Sequence, residues 1–159
     1  MRSSSILAPV VALASVASAG VIPRADVDCS FATGYGCWTV KDLTVTIPPS
    51  ASHHTFSFGI VHQSQTSNTT CTGTSEEGIT CADSAYKIES DLQGTTLTIY
   101  EKLYQTGAIA VLGGNTTLST TCSTNAEATS TTCTQETFSV QSKSVGTIFP
   151  NGTTEGFTF

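Results

Sequence analysis

The sequence predicts an all-β fold: a compact antiparallel β-barrel or sandwich stapled by disulfides. Three observations predict it. Apolar, β-branched and aromatic residues recur in seven or more short alternating runs, with no helical period beyond two turns. Gly, Pro, Asn and Asp punctuate those runs at regular spacing. Six cysteines (29, 37, 71, 81, 122 and 133) fall in near pairs. An even count in an oxidising compartment reads as three disulfides. Fifteen connectivities are open to six cysteines; the spacing suggests the local ones, Cys29–Cys37, Cys71–Cys81 and Cys122–Cys133.

Residues 1–19 read as a signal peptide. Arg2 supplies the positive start, Ile6–Val16 a Ser-broken apolar run, and Ala17-Ser18-Ala19 the small-residue cleavage pattern. The mature chain is therefore expected to be secreted, to the medium or the cell wall. Residues 20–28 are a lead-in, 29–140 the disulfide-stapled β domain, and 141–159 a C-terminal strand or tail. No other segment is apolar enough to span a bilayer. Only 11% of residues are charged and the formal net charge is −6. Loss of Arg2 makes it about −7, which makes nucleic acid a poor partner and argues against a polyanionic membrane surface.

Cys37–Ile47 is the organising strand. Trp38 and Val40 share one face; Leu43, Val45 and Ile47 share a face with the parity shifted by one. Such a shift means a bulge, placed at Lys41–Asp42, and Pro48-Pro49 ends the strand. His54–His62 alternates with His54, Phe56, Phe58, Ile60 and His62 on one face. Asn68–Thr74 and Ile79–Ala82 flank a Ser75–Gly78 turn. Tyr86–Leu92 and Thr95–Tyr104 flank Gln93-Gly94, read as a two-residue hairpin turn. Gln105–Gly107 turns into Ala108–Leu112, and Gly113-Gly114 is read as a further turn into Asn115–Cys122. A last hairpin spans Leu118–Val140, with Phe138 and Val140 as its apolar face. Thr147–Phe159 reads as a final strand pair or a tail.

Chemistry is sparse. His54 and His62 sit at opposite ends of one strand, about 26 Å apart at strand rise, and His53 points the other way. They cannot share a metal, and read as polar histidines at strand ends. No Gly-x-Ser-x-Gly elbow exists, and pairing leaves no cysteine as a nucleophile. No catalytic residue, metal or cofactor is assigned. Glu89, Asp91 and Glu101 are the residues a hydrolase would use if they line one sheet face, although nothing fixes the separation that glycosidase chemistry needs. Tyr35, Trp38, Tyr86, Tyr100 and Tyr104 are candidate contact aromatics. Tyr100, Lys102 and Tyr104 share one parity on a strand whose other face carries Leu97, Ile99 and Leu103, so they form the candidate binding surface. Asn68, Asn115 and Asn151 each head an Asn-x-Thr sequon, the acceptor pattern for N-glycosylation.

From about Cys29 to Val140 the sequence resembles the family of the Alternaria alternata major allergen, secreted fungal β-barrel allergens and effectors. The resemblance rests on Cys29, the Cys37-Trp38-Thr39-Val40-Lys41 start, the Phe56–Ile60 strand leading to Cys71, and the later pair Cys122 and Cys133. It implies an antiparallel β-barrel with two intramolecular disulfides, best matched by Cys71–Cys81 and Cys122–Cys133. It also implies no enzymatic activity and a role in provoking or suppressing plant defence. Implied partners are a plant pathogenesis-related protein or a small phenolic ligand. In that family an N-terminal cysteine joins two chains. Cys37 here gives Cys29 a local partner, which leaves a non-covalent homodimer as the form of self-association. The readings carried forward are a binding protein at a host or cell-wall surface, a small apolar or phenolic ligand carrier, a structural wall protein, and a hydrolase.

Overall fold

The computed structural model describes residues 27–31, 35–49, 53–127 and 129–156; the signal-peptide reading lies outside them. The described residues form twelve strands and no helix: β1 (Cys37–Ile47), β2 (Thr55–His62), β3 (Thr69–Thr74), β4 (Gly78–Cys81), β5 (Tyr86–Ser90), β6 (Thr96–Gln105), β7 (Ala108–Thr117), β8 (Thr121–Thr124), β9 (Thr131–Gln135), β10 (Phe138–Gln141), β11 (Lys143–Ile148) and β12 (Thr154–Gly156). All pairings are antiparallel, in the order β12-β11-β7-β6-β5-β4-β3-β2-β1-β9-β8, with β10 also on β1.

β1 is long because it serves two partners on one edge. Its first half pairs with β10 and its second half with β9. Between them the register with β2 jumps from Lys41↔Gly59 to Thr44↔Ser57, and Asp42 takes φ 53°. That is the bulge at Lys41–Asp42. It lets Trp38 and Val40, then Leu43 and Val45, all face inward and stay buried. β2 turns Phe56, Phe58, Ile60 and His62 to the same interior.

The ladder is not a closed ring, yet one segment spans the remaining gap. Phe138–Gln141 pairs with β1, and after Ser142 the chain continues as Lys143–Ile148 on β7. Ser142 is fully buried at this change of partner, where its amide and hydroxyl both donate to the Gly36 carbonyl at 3.0 Å. The interior between these strands is filled by one cluster that includes Trp38, Phe56, Phe58, Ile60, Leu97, Ile99, Leu112, Phe138 and Val140. Disulfides join Cys29–Cys37, Cys71–Cys81 and Cys122–Cys133. The last two link residues directly opposite in hairpin registers.

Three local readings are corrected. Gly113-Gly114 is not a turn: Ala108–Thr117 runs through it as one strand. The glycines are there because other parts of the chain come close. A Cβ on Gly114 would lie 2.2 Å from the Gln141 carbonyl oxygen and 2.9 Å from the Trp38 ring. The turn between β5 and β6 is longer than Gln93-Gly94, because Asp91 binds back across it. Its carboxylate accepts from the Thr95 and Thr96 amides at 2.7 and 2.8 Å and from the Thr95 hydroxyl at 2.5 Å. Finally, the returning half of the predicted last hairpin is two strands, β9 and β10, one on each side of the β1 bulge.

Candidate functional site

β6 carries different chemistry on its two faces. Leu97, Ile99 and Glu101 point into the barrel and are fully buried, while Tyr100, Lys102 and Tyr104 alternate with them on the outside. Among the described residues, Tyr104 is the most open of the large hydrophobic side chains, at 72%. Tyr100 is half-buried because it stands opposite Gly113, and its ring would lie 3.3 Å from a Cβ added there. Lys87, opposite Tyr100 on β5, holds its ammonium 6.0 Å from that ring centre. Lys102 faces Val111, and Tyr104 faces Ile109, which in turn faces Ile148 on β11. The outer face of β5-β6-β7-β11 is thus a sheet surface of tyrosine, lysine and aliphatic side chains.

Beneath it lies a polar cluster that alternation alone did not pick out. The Trp38 Nε1–H donates to Glu101 Oε2 at 2.6 Å, and Gln65 Nε2 donates to Glu101 Oε1 at 2.6 Å. The Tyr86 hydroxyl donates to Gln65 Oε1 at 3.0 Å. His62, opposite Trp38, is also fully buried; its ring meets the indole edge-on at 5.9 Å, and its Nδ1 is 2.6 Å from the Ser64 hydroxyl. Burial pushes the Glu101 carboxyl up to about 7, against the opposing effect of the Trp38, Tyr86 and Gln65 hydrogen bonds. Burial also holds His62 below the ordinary imidazole value, partly offset by the Tyr35 carbonyl. Tyr86 is raised, by burial first and by the Glu101 charge second.

The three carboxylates do not line one face. Glu101 is inside; Glu89 is outside, paired with Lys87 at 3.1 Å; Asp91 caps the β5–β6 turn. Asp91 titrates below its ordinary value because the Thr95 and Thr96 hydrogen bonds outweigh what burial adds. The histidines do not converge either. His53 meets Glu76 at 3.2 Å, a Cβ on Gly94 would lie 2.4 Å from His54 Nδ1, and His62 is a core residue rather than a polar strand end. Its place was legible from the shared parity with Phe58 and Ile60. No group of three metal-binding side chains occurs among the described residues.

Two known structures share this architecture. A crystal structure of Alternaria alternata allergen Alt a 1 superposes with a TM-score of 0.56 at 14% identity, covering 76% of this chain and 97% of that one. A second structure, of the Alternaria alternata major allergen alt a 1, gives 0.52 at 13% identity over 68% and 93%. The fold is that of the Alternaria allergen. No family model matches the chain, and no curated protein does. Among the described residues of this Alt a 1-like barrel, Asn68, Asn115 and Asn151 are all exposed. Asn151 Oδ1 accepts from the Thr153 amide and hydroxyl of its own sequon at 3.0 and 2.6 Å. Grooves of about 390 Å³ at the β3–β4 turn and 380 Å³ beside Asn115 and Gln141 are open and lined largely by polar side chains.

Proposed function

We propose that this chain is an exported, allergen- and effector-like fungal protein that acts by binding at a host or cell-wall surface and so modulates plant defence. The observation that carries this reading is the outer face of β6. Tyr100, Lys102 and Tyr104 are held at fixed spacing on a disulfide-stapled sheet, the kind of rigid aromatic surface that recognition uses. The Alt a 1-like fold supports it. The reading is non-enzymatic, since Glu101, whose carboxyl is the most strongly raised, is fully buried and engaged by two donors.

The test is capture from plant apoplastic fluid by the oxidised mature chain, with reduced and alkylated protein as control. A saturable pathogenesis-related protein partner, lost on reduction and weakened by Tyr104→Ala, is the expected result. Equal capture by the reduced chain would overturn the rigid-surface reading. The carrier reading loses ground within one chain because the barrel interior is filled by Trp38, Phe56 and their neighbours. A phenolic ligand would have to lie in an open groove or between the copies of a non-covalent homodimer.

A further inference from the structure

The chain has four lysines, at positions 41, 87, 102 and 143. Three of them stand on one face. Lys87 pairs with Tyr100, Tyr100 with Gly113 and Gly113 with Lys143, so one row crosses β5, β6, β7 and β11 with an ammonium at each end and a tyrosine between. Residues directly opposite in an antiparallel ladder point to the same side. Lys102 lies two residues along β6 from Tyr100, and Tyr104 two further. Glu89 is on this face as well, where it pairs with Lys87. In a molecule of net charge −6, this face gathers three of the chain's four lysines around its outward tyrosines.

We infer that this face binds an acidic polysaccharide, a chain of uronate sugars, through ammonium–carboxylate pairing and sugar-ring contact with Tyr100 and Tyr104. The inference rests on the proposed cell-wall or host-surface reading and names the component recognised. Charge complementarity selects an anionic partner. Shape then selects among anions. Tyr100, Lys102, Tyr104 and Lys143 line neither of the grooves described above, whereas a small ligand wants a concave site. Four strands at about 4.8 Å spacing and five residues of β6 give the lysine–tyrosine patch roughly 200 Å²; a protein partner, which needs about 800 Å² on its side, would have to cover neighbouring surface as well. A linear polymer can lie along so small a face and offers it many equivalent positions. The molecule's negative net charge is no barrier at contact range, since charges beyond about 8 Å are screened at physiological salt.

The experiment is binding of the oxidised mature chain to de-esterified polygalacturonate, with the fully methyl-esterified polymer, a neutral glucan and an RNA homopolymer as comparisons. Binding to the uronate polymer alone is expected, falling at least tenfold between 50 and 200 mM salt or in Lys87→Gln/Lys102→Gln/Lys143→Gln. Lys41→Gln should bind as wild type, and Tyr104→Ala should lose a few-fold at unchanged circular dichroism. Equal binding to the esterified polymer or the RNA, or an undiminished triple variant, would overturn the inference. Capture of an apoplastic protein without uronate binding would sink the glycan inference and leave the binding reading standing. Loss of both would sink both.

Discussion

Glu101 is the residue at which burial and charge conflict most sharply. Its carboxyl rises from an ordinary 4.5 to about 7 in the fold, so between those values the native state holds a proton that the unfolded chain has lost. Stability from this group is therefore full below pH 4.5 and falls as pH rises to about 7, by roughly 3 kcal/mol in all. His62 has the opposite sign: its lowered value makes stability fall as pH drops below the ordinary 6.5. Urea denaturation from pH 4 to 8 separates the two. Glu101→Gln should remove the loss above pH 4.5 and leave only the rise due to His62. An identical pH dependence in wild type and variant would show that Glu101 is not the titrating group. The parity of β6 marked Glu101 as inward once Leu97 and Ile99 were placed inside. Its partners were not legible, since Trp38 and Gln65 are 63 and 36 residues away and no local pattern links them.

At the scale of the strand, two adjacent glycines in β7 have different tasks. A side chain on Gly114 would strike the Gln141 backbone and the Trp38 ring, neither of which can yield, whereas on Gly113 the obstacles are the tips of Val145 at 2.9 and 3.1 Å and the Tyr100 ring edge. Gly114→Ala is expected to cost about 2–3 kcal/mol as an overpacking change, and Gly113→Ala under about 1. Equal costs in thermal or urea unfolding would contradict this account of the seam. The β1 bulge gives a second contrast. Asp42 adopts a left-handed φ of 53°, which Asp tolerates and β-branched residues do not. Asp42→Gly should be near neutral, while Asp42→Val should cost about 1–2 kcal/mol in the same measurement. The bulge was readable because a parity shift is a local pattern. The glycine pair misled because the sequence does not carry the β10 backbone that presses on Gly114. With Gly-Gly more common in turns than in mid-strand, local chemistry pointed the wrong way.

The molecule as a whole joins a long antiparallel path with a single segment, residues 138–148, that leaves β1 for β7 at Ser142. Long-range pairing of this kind gains little from local structure, so constraint of the unfolded chain matters. The three disulfides close loops with sequence separations of 8, 10 and 11 residues that do not overlap. Chain entropy assigns each about 2.5–2.8 kcal/mol, and separate loops add, giving about 8 kcal/mol together. That is comparable to the entire stability of a typical domain. Reduction in the absence of denaturant should therefore unfold most of the population. The fully buried Trp38 indole reports it, through loss of near-ultraviolet circular dichroism and a red shift of emission. Replacing only Cys29 and Cys37 by Ala should keep the fold with a lowered urea midpoint, because Trp38 and Val40 remain paired on both sides by β2 and β10. A reduced chain with unchanged Trp38 signals would mean that packing alone holds the barrel. The outer lysine–tyrosine face would then need no oxidised scaffold, and its binding should survive reduction as well.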